Sequence, residues 1–308
     1  MIKRLFIVGN GFDLAHNLPT SYEKDFKRIA KNNESVSNFW ELYSFDGSKI
    51  WSDFENCLAH PDFNSLEEIF NGYFPDYNSD YESDRTAIIV QADISGNLKK
   101  SVNDFACLAE KAIDNVSPIK KYLKLFNEND LFISFNYTHT LERLYSVDSN
   151  NVLHIHGEVD KSDLLLGYPE GKYNPEKYNY DPTFKDRGRF IELDISDYVK
   201  RMVEENRFDY YLFTAYETLI NKTKKFCKKY QFDNLSTFLK NKTIDEIEII
   251  GHSCKIDFGY FKWLRNHYPR ARWIFNPYSD TDYENVNLLI SFLEIEEYAI
   301  NKIEKTFK

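Results

Sequence analysis

Leu5-Phe6-Ile7-Val8-Gly9-Asn10-Gly11-Phe12-Asp13 opens the chain with four apolar residues that stop at a Gly-x-Gly turn. A short apolar run without polar alternation predicts a strand covered on both faces, as strands of parallel sheets are. The two glycines allow a sharp turn and close backbone approach, and the amides after them could face an anion. The dinucleotide fingerprint is incomplete, because Leu14 stands where a third glycine belongs. Asp13 would repel a phosphate at close range and suits a ribose hydroxyl better. The structural alternative is a tight strand-to-helix turn with Asp13 as a cap.

Working outward, the same pattern recurs four times. Leu131-Phe132-Ile133-Ser134-Phe135 stops at Asn136, and Val152-Leu153-His154-Ile155 stops at His156-Gly157. Ile247-Glu248-Ile249-Ile250 stops at Gly251-His252-Ser253, and Ala271-Arg272-Trp273-Ile274-Phe275 stops at Asn276. Helical patterns lie between them. Thr20-Ser21-Tyr22-Glu23 reads as a capping box opening a helix to about residue 31. Residues 97–127, 196–230, Asp257 to His267 and 282–305 also carry helical spacing. The expected fold is α/β, a parallel Rossmann-like sheet flanked by helices, with ligands beyond the carboxyl ends of the strands. Residues 60–95 are loop-rich and acidic, with a Tyr/Asp cluster at Asp76–Tyr81. Residues 160–245 are too long for an ordinary crossover. The predicted organisation is a nucleotide-binding core of 1–159 and 246–308 with a helical insertion or cap at 160–245.

The chain has 308 residues and a formal net charge of −10. Its basic residues alternate with acids except in the run Lys222, Lys224, Lys225, Lys228 and Lys229, read as the solvated face of a helix. Nucleic acid is therefore a disfavoured partner. Cys57, Cys107, Cys227 and Cys254 show neither metal-pair spacing nor disulfide spacing, so reduced thiols and a cytoplasmic location are expected. No apolar stretch approaches the roughly 20 residues of a membrane span, and no signal peptide is expected ahead of the first strand. No membrane partner is expected.

The polar strand ends carry the chemistry. Asn136 and His156 each follow a strand, so both side chains could reach the rim occupied by Asn10. An amide and an imidazole there suit cleavage of a ribosyl bond, which passes through an oxocarbenium-like state. Asn136 could position a water, and His156 could act as a base or hold ribose hydroxyls. Alternation places His154 on the same strand face as His156, as a core histidine. A His154/His156 metal pair lacks evident further ligands, so no metal is expected. Gly251-His252-Ser253-Cys254-Lys255-Ile256-Asp257 joins a strand to a helix and could present backbone donors to an anion. Lys255 stands where a hydrolase nucleophile elbow needs glycine, which disfavours a serine nucleophile. The alternative is a helix capped by Ser253 or Asp257. Glu55, in Trp51-Ser52-Asp53-Phe54-Glu55, faces either a site or solvent.

In order along the chain, Gly9–His16, Leu18–Tyr22, Trp51–Glu55, Phe135–Thr138, His154–Gly157 and Gly251–Ser253 with Asp257 resemble the AbiH family of bacterial abortive-infection proteins. The motif order is also similar to that of SIR2-like NAD-binding proteins. That likeness implies that Asn136 and His156 carry NAD cleavage, and that Gly9, Gly11, Gly251 and Ser253 shape the dinucleotide turns. Asn10, Asp13, Thr138 and His252 complete the expected binding set. Thr138 departs from the Asp usual in sirtuins, and the cysteines of a sirtuin zinc module are missing. The resemblance therefore implies an anti-phage effector that hydrolyses NAD or a related nucleotide, taken as substrate with no cofactor required. A homo-oligomer and a phage-derived trigger fit the same reading. The alternatives are a non-catalytic nucleotide sensor and an RNA-directed toxin.

Overall fold

A computed structural model describes residues 3–32, 42–43, 51, 53–72, 86–87, 89–90, 95–170, 177–180, 191–194, 204 and 210–301. The Asp76–Tyr81 cluster and most of 196–209 lie outside them. In chain order the described strands are β1 (Arg4–Val8), β2 (Leu131–Ser134), β3 (Val152–His154), β4 (Tyr168–Pro169), β5 (Lys177–Tyr180), β6 (Ile191–Asp194), β7 (Cys227–Lys228), β8 (Glu246–Ile250), β9 (Arg272–Asn276) and β10 (Tyr298–Ile300).

Six of them form one parallel sheet in the order β10-β9-β8-β1-β2-β3. Counting only these six, the order is 3-2-1-4-5-6, the doubly wound arrangement in which the chain reverses direction between its first and fourth strands. The reversal falls between β1 and β8, where Ile7 pairs with Ile249 and Val8 with Ile250. The apolar runs explain the sheet, since period-two alternation sends their side chains to two cores. Leu5, Ile7, Ile133, Ile247, Ile249 and Phe275 pack in one core, and Phe6, Val8, Phe12, Phe132 and Ile250 in the other. Full burial of each such side chain is worth about 1.5–3 kcal/mol.

The sixth strand was not anticipated. The helical pattern expected to continue from 282 to 305 ends at Leu293, after a Ser279/Asp282 capping box starts the helix at Asp280. Glu294 then adopts a left-handed conformation, φ 50°, and β10 adds to the sheet edge beside β9. The capping box read at Thr20 does not form: its hydroxyl oxygen is buried without a hydrogen-bond partner. The chain enters a π-helical turn at Tyr22–Phe26 before the short helix Lys27–Lys31.

The chain divides into two compact units, one of Met1–Ser21, Val102–Leu165 and Lys229–Lys308, the other of Tyr22–Ser101 and Leu166–Lys228. The first holds the six-stranded sheet. The second contains the helices Phe63–Asn71 and Tyr210–Lys225, the parallel pair β4–β7 and the antiparallel pair β5–β6. Within this second unit the lysine run is not uniformly solvated. Lys228 is buried and its ammonium lies 2.9 Å from Glu55 Oε2, which assigns Glu55 to an internal ion pair. Among the described residues no helix is long and apolar enough to cross a membrane.

Candidate functional site

The carboxyl ends of β1 and β8 meet through glycine. The Gly9 amide donates to Ile250 O at 3.0 Å, the Gly11 amide to Gly251 O at 2.8 Å, and the Phe12 amide to Gly9 O at 2.9 Å. Gly251 has φ +66°, and a Cβ on it would fall 2.2 Å from Phe12 N. A Cβ on Gly9 or Gly11 would come within 3.0 Å of the Gly251 backbone. Glycine is needed here because no side chain fits between the turns. The amides of Gly9 and Gly11 are engaged by the chain itself. The neighbouring Asn10 turns its amide nitrogen to Thr20 O at 2.8 Å.

Behind this turn sits Asp13, on the short helix Asn10–Ala15. Its Oδ2 accepts from the Thr138 hydroxyl at 2.5 Å, and Thr138 in turn lies 3.0 Å from the Thr140 hydroxyl. Its Oδ1 is buried without a partner. Burial raises the Asp13 pKa to about 6, against the opposing effect of the Thr138 hydrogen bond and of the polar groups of Thr140 and Asn136 nearby. Asn136, two residues beyond β2, donates from Nδ2 to Gly9 O at 3.2 Å, while its Oδ1 is buried and unpartnered. An acceptor left unpaired inside a protein costs about 1–3 kcal/mol, so a donor reaching either oxygen would be favoured.

The third part is an imidazole pair around one carboxylate. His156 Nε2 lies 3.3 Å from Asp257 Oδ1, and His252 Nε2 lies 4.0 Å from Asp257 Oδ2. All three side chains are buried. His252 Nδ1 accepts from the Cys254 amide at 3.0 Å, which leaves its proton on Nε2, toward Asp257. Phe135 stands between the rings, 5.0 Å from His156 and 4.6 Å from His252, edge to face with both. Asp257 precedes the helix Phe258–His267 but makes no capping hydrogen bond; with φ +65° it holds a left-handed conformation. Such a conformation is uncommon for a residue with a side chain and persists where surroundings enforce it.

The sheet thus brings nine of the ten expected site residues into two adjoining groups. Gly9, Gly11, Gly251, Asn10, Asp13, Asn136 and Thr138 form one, and His156 and His252 the other. Ser253 is exposed, and its hydroxyl accepts only from the Lys255 amide nearby, at 3.5 Å. Sequence reading took Asp257 as a possible helix cap and did not foresee its place between His156 and His252.

His154 does not share the surroundings of His156. The strand ends at His154, so alternation stops there. Its Nδ1 donates to Asn136 O at 3.0 Å, and its Nε2 lies 2.9 Å from Glu142 Oε1. Beside it, 5.4 Å between ring centres, is His139, whose nitrogens meet Glu110 at 3.1 Å and Glu158 at 2.9 Å. Hydrogen bonding to Glu110 raises the His139 pKa to about 9. For Glu110, burial pushes upward, but the bonds from His139 and Arg143 prevail and bring it to about 2. Sequence reading passed over His139; its only signal was a histidine closely following the Asn136 block.

No curated protein matches the chain. A family model described as bacteriophage abortive infection AbiH matches residues 5–277, from the first residues of β1 to just past β9. The match covers most of the 308 residues and every group described above, and the chain belongs to the AbiH family of bacteriophage abortive-infection proteins.

Proposed function

We propose that the chain acts in anti-phage defence by binding NAD or a related nucleotide over the carboxyl ends of β1, β2, β3 and β8 and hydrolysing its N-glycosidic bond. The supporting observation is the buried His156–Asp257 pair together with the unpartnered acceptors of Asn136, after β2, and Asp13, after β1. Asp257 orients the His156 ring through Nε2, which leaves Nδ1 as the basic nitrogen. Asn136 Oδ1 accepts a hydrogen bond from the attacking water, and Asp13 Oδ1 accepts one from a ribose hydroxyl. Water adds to the anomeric carbon as the bond to nicotinamide breaks, and its electron pair leaves on the nicotinamide nitrogen. His156 takes the proton of the water, giving ADP-ribose and nicotinamide. Gly9, Gly11 and Gly251 shape the turns, Thr138 fixes Asp13, and His252 and Ser253 line the approach. Loss of NAD from an infected cell would halt phage growth, and a phage-derived component would be the trigger.

A second reading, nucleotide sensing without turnover, draws support from burial: Asn136 is 7% and His156 5% exposed. The discriminating experiment follows NAD and ADP-ribose in solutions of the purified chain, alone and with lysate of phage-infected cells. Consumption that disappears in Asn136→Ala and His156→Ala supports hydrolysis. Consumption unchanged in both removes these roles, and tightly bound nucleotide recovered intact favours sensing.

A further inference from the structure

The group around His139 and His154 adjoins the residues just assigned, through the Asn136 carbonyl, and has its own chemistry. One donor atom each from His139, His154 and Glu158 lies within 4.8 Å of the other two. Glu142 joins them through its 2.9 Å approach to His154 Nε2, and its other oxygen, Oε2, is buried without a partner.

Both rings are held from behind. His154 Nδ1 faces the Asn136 carbonyl, which can only accept, so that nitrogen carries a proton. His139 Nδ1 faces Glu110 Oε1, and Glu110 is itself fixed by Arg143 at 3.0 Å and by the His139 amide at 2.9 Å. In a neutral ring anchored this way, the second nitrogen presents a lone pair. Nε2 of each ring therefore faces a carboxylate oxygen 2.9 Å away, a position that the second proton of an imidazolium fills and that a cation can take in its place. Metal-bound histidines show this same division, one nitrogen on the ion and the other on a carboxylate or backbone carbonyl.

We propose that His139 Nε2, His154 Nε2 and Glu158 bind one divalent transition-metal ion, with Glu142 turning in from His154 as a fourth ligand and with Glu110 and the Asn136 carbonyl as outer supports. Two imidazoles and two carboxylates suit zinc or a neighbouring ion better than calcium or magnesium, which prefer all-oxygen shells. Two carboxylates balance the dipositive charge. Ligands on a tetrahedral ion with bonds of about 2.0–2.1 Å stand about 3.3 Å apart, so the 2.9 Å pairs would open slightly while the wider separations, within 4.8 Å among His139, His154 and Glu158, would close. Lys161 also touches Glu158 Oε2, at 3.2 Å, but its side chain is exposed and can swing away. A cavity of about 540 Å³, lined by Glu142, His154, Glu158, Gly157, Gln231 and Asn234, reaches the group and offers room for a water or substrate atom on the ion.

The site does not depend on the nucleotide reading. The test titrates zinc into the metal-stripped full chain, wild type against Glu158→Gln, Glu142→Gln and Glu110→Gln, with His267→Ala as control. Circular dichroism establishes that each variant is folded, and Co2+ spectra report the ligand type. Expected are one equivalent bound by wild type and the control, a Co2+ spectrum without a thiolate charge-transfer band, and affinity weakened at least about tenfold in each glutamate variant. Folded wild type that binds no zinc, equal affinity in wild type and Glu158→Gln, or a thiolate band from the cysteines each overturns the proposal.

Discussion

Gly11 and Gly251 join the turns after β1 and β8 backbone to backbone, the amide of one donating to the carbonyl of the other at 2.8 Å. The contact lies where the sheet reverses direction, and it leaves no space for a Cβ. Alanine at 251 would have to hold φ near +66° and push away the Phe12 amide 2.2 Å distant. Left-handed backbone alone costs a non-glycine residue about 1–2 kcal/mol, and parting the turns breaks a hydrogen bond as well. Gly251→Ala is expected to lose about 2 kcal/mol or more of stability in urea titration. A midpoint equal to wild type would mean the turns separate easily and do not fix the rim.

Asp13 gives the fold a pH dependence of definite sign. Burial raises its folded pKa from 3.8 to about 6, so the folded chain holds this proton more tightly than the unfolded one. The contribution is fully present below about pH 4, falls as pH rises, and is gone above about pH 6. The ionised carboxylate then costs about 3 kcal/mol relative to its neutral form. Asn can still accept from Thr138 without ionising. Asp13→Asn is expected to be more stable than wild type at pH 7 and to flatten the pH 4–6 portion of the stability curve. The measurement is urea unfolding across that range; parallel curves for the two proteins would contradict the assignment.

Arg4 and Asp130 show the opposite case, a carboxylate whose partner is built in. Arg4 Nε lies 3.1 Å and its terminal nitrogen 2.6 Å from the two Asp130 oxygens, and that nitrogen also donates to Leu125 O. The Asp130 side chain is 5% exposed. Removing one member of a buried pair leaves the other charge without its counterpart, at a cost of about 3–5 kcal/mol. Asp130→Ala is expected near the lower end, because Arg4 keeps some solvent and the Leu125 carbonyl. Thermal unfolding of the variant at neutral pH checks this, and a loss below 1 kcal/mol would show that Arg4 finds another partner.

The sheet was legible because each strand is an apolar run interrupted by small or polar residues, a local signal that needs no knowledge of distant contacts. β10 was hidden for the same reason: Tyr298-Ala299-Ile300 is short, at the edge, and follows a helical pattern that overran it. The glycines and Asn136 could be read from strand ends. Asp257 could not, because its role depends on a left-handed backbone that turns its carboxylate from the helix end toward His156. The ion pair between Lys228 and Glu55, like the grouping of His139 with Glu158, depends on tertiary placement that spacing alone does not encode.

Asp257 offers the sharpest test of the proposed chemistry. If it holds the proton of His156 on Nε2, replacing its Oδ1 by an amide nitrogen would favour the other tautomer and remove the base from Nδ1. Asn is the informative substitution because, among residues with a side chain, it is one of those that best tolerate φ +65°, so the fold around position 257 is expected to be retained. Asp257→Asn is expected to lower kcat for NAD hydrolysis at least about a hundredfold, in line with the loss of an orienting carboxylate from a catalytic histidine. KM should change only a few-fold, since Asp257 faces the rings and not the nucleotide. Unchanged turnover with an intact circular dichroism spectrum would leave the His156–Asp257 pair a packing feature, and would move the search for the base to Asp13.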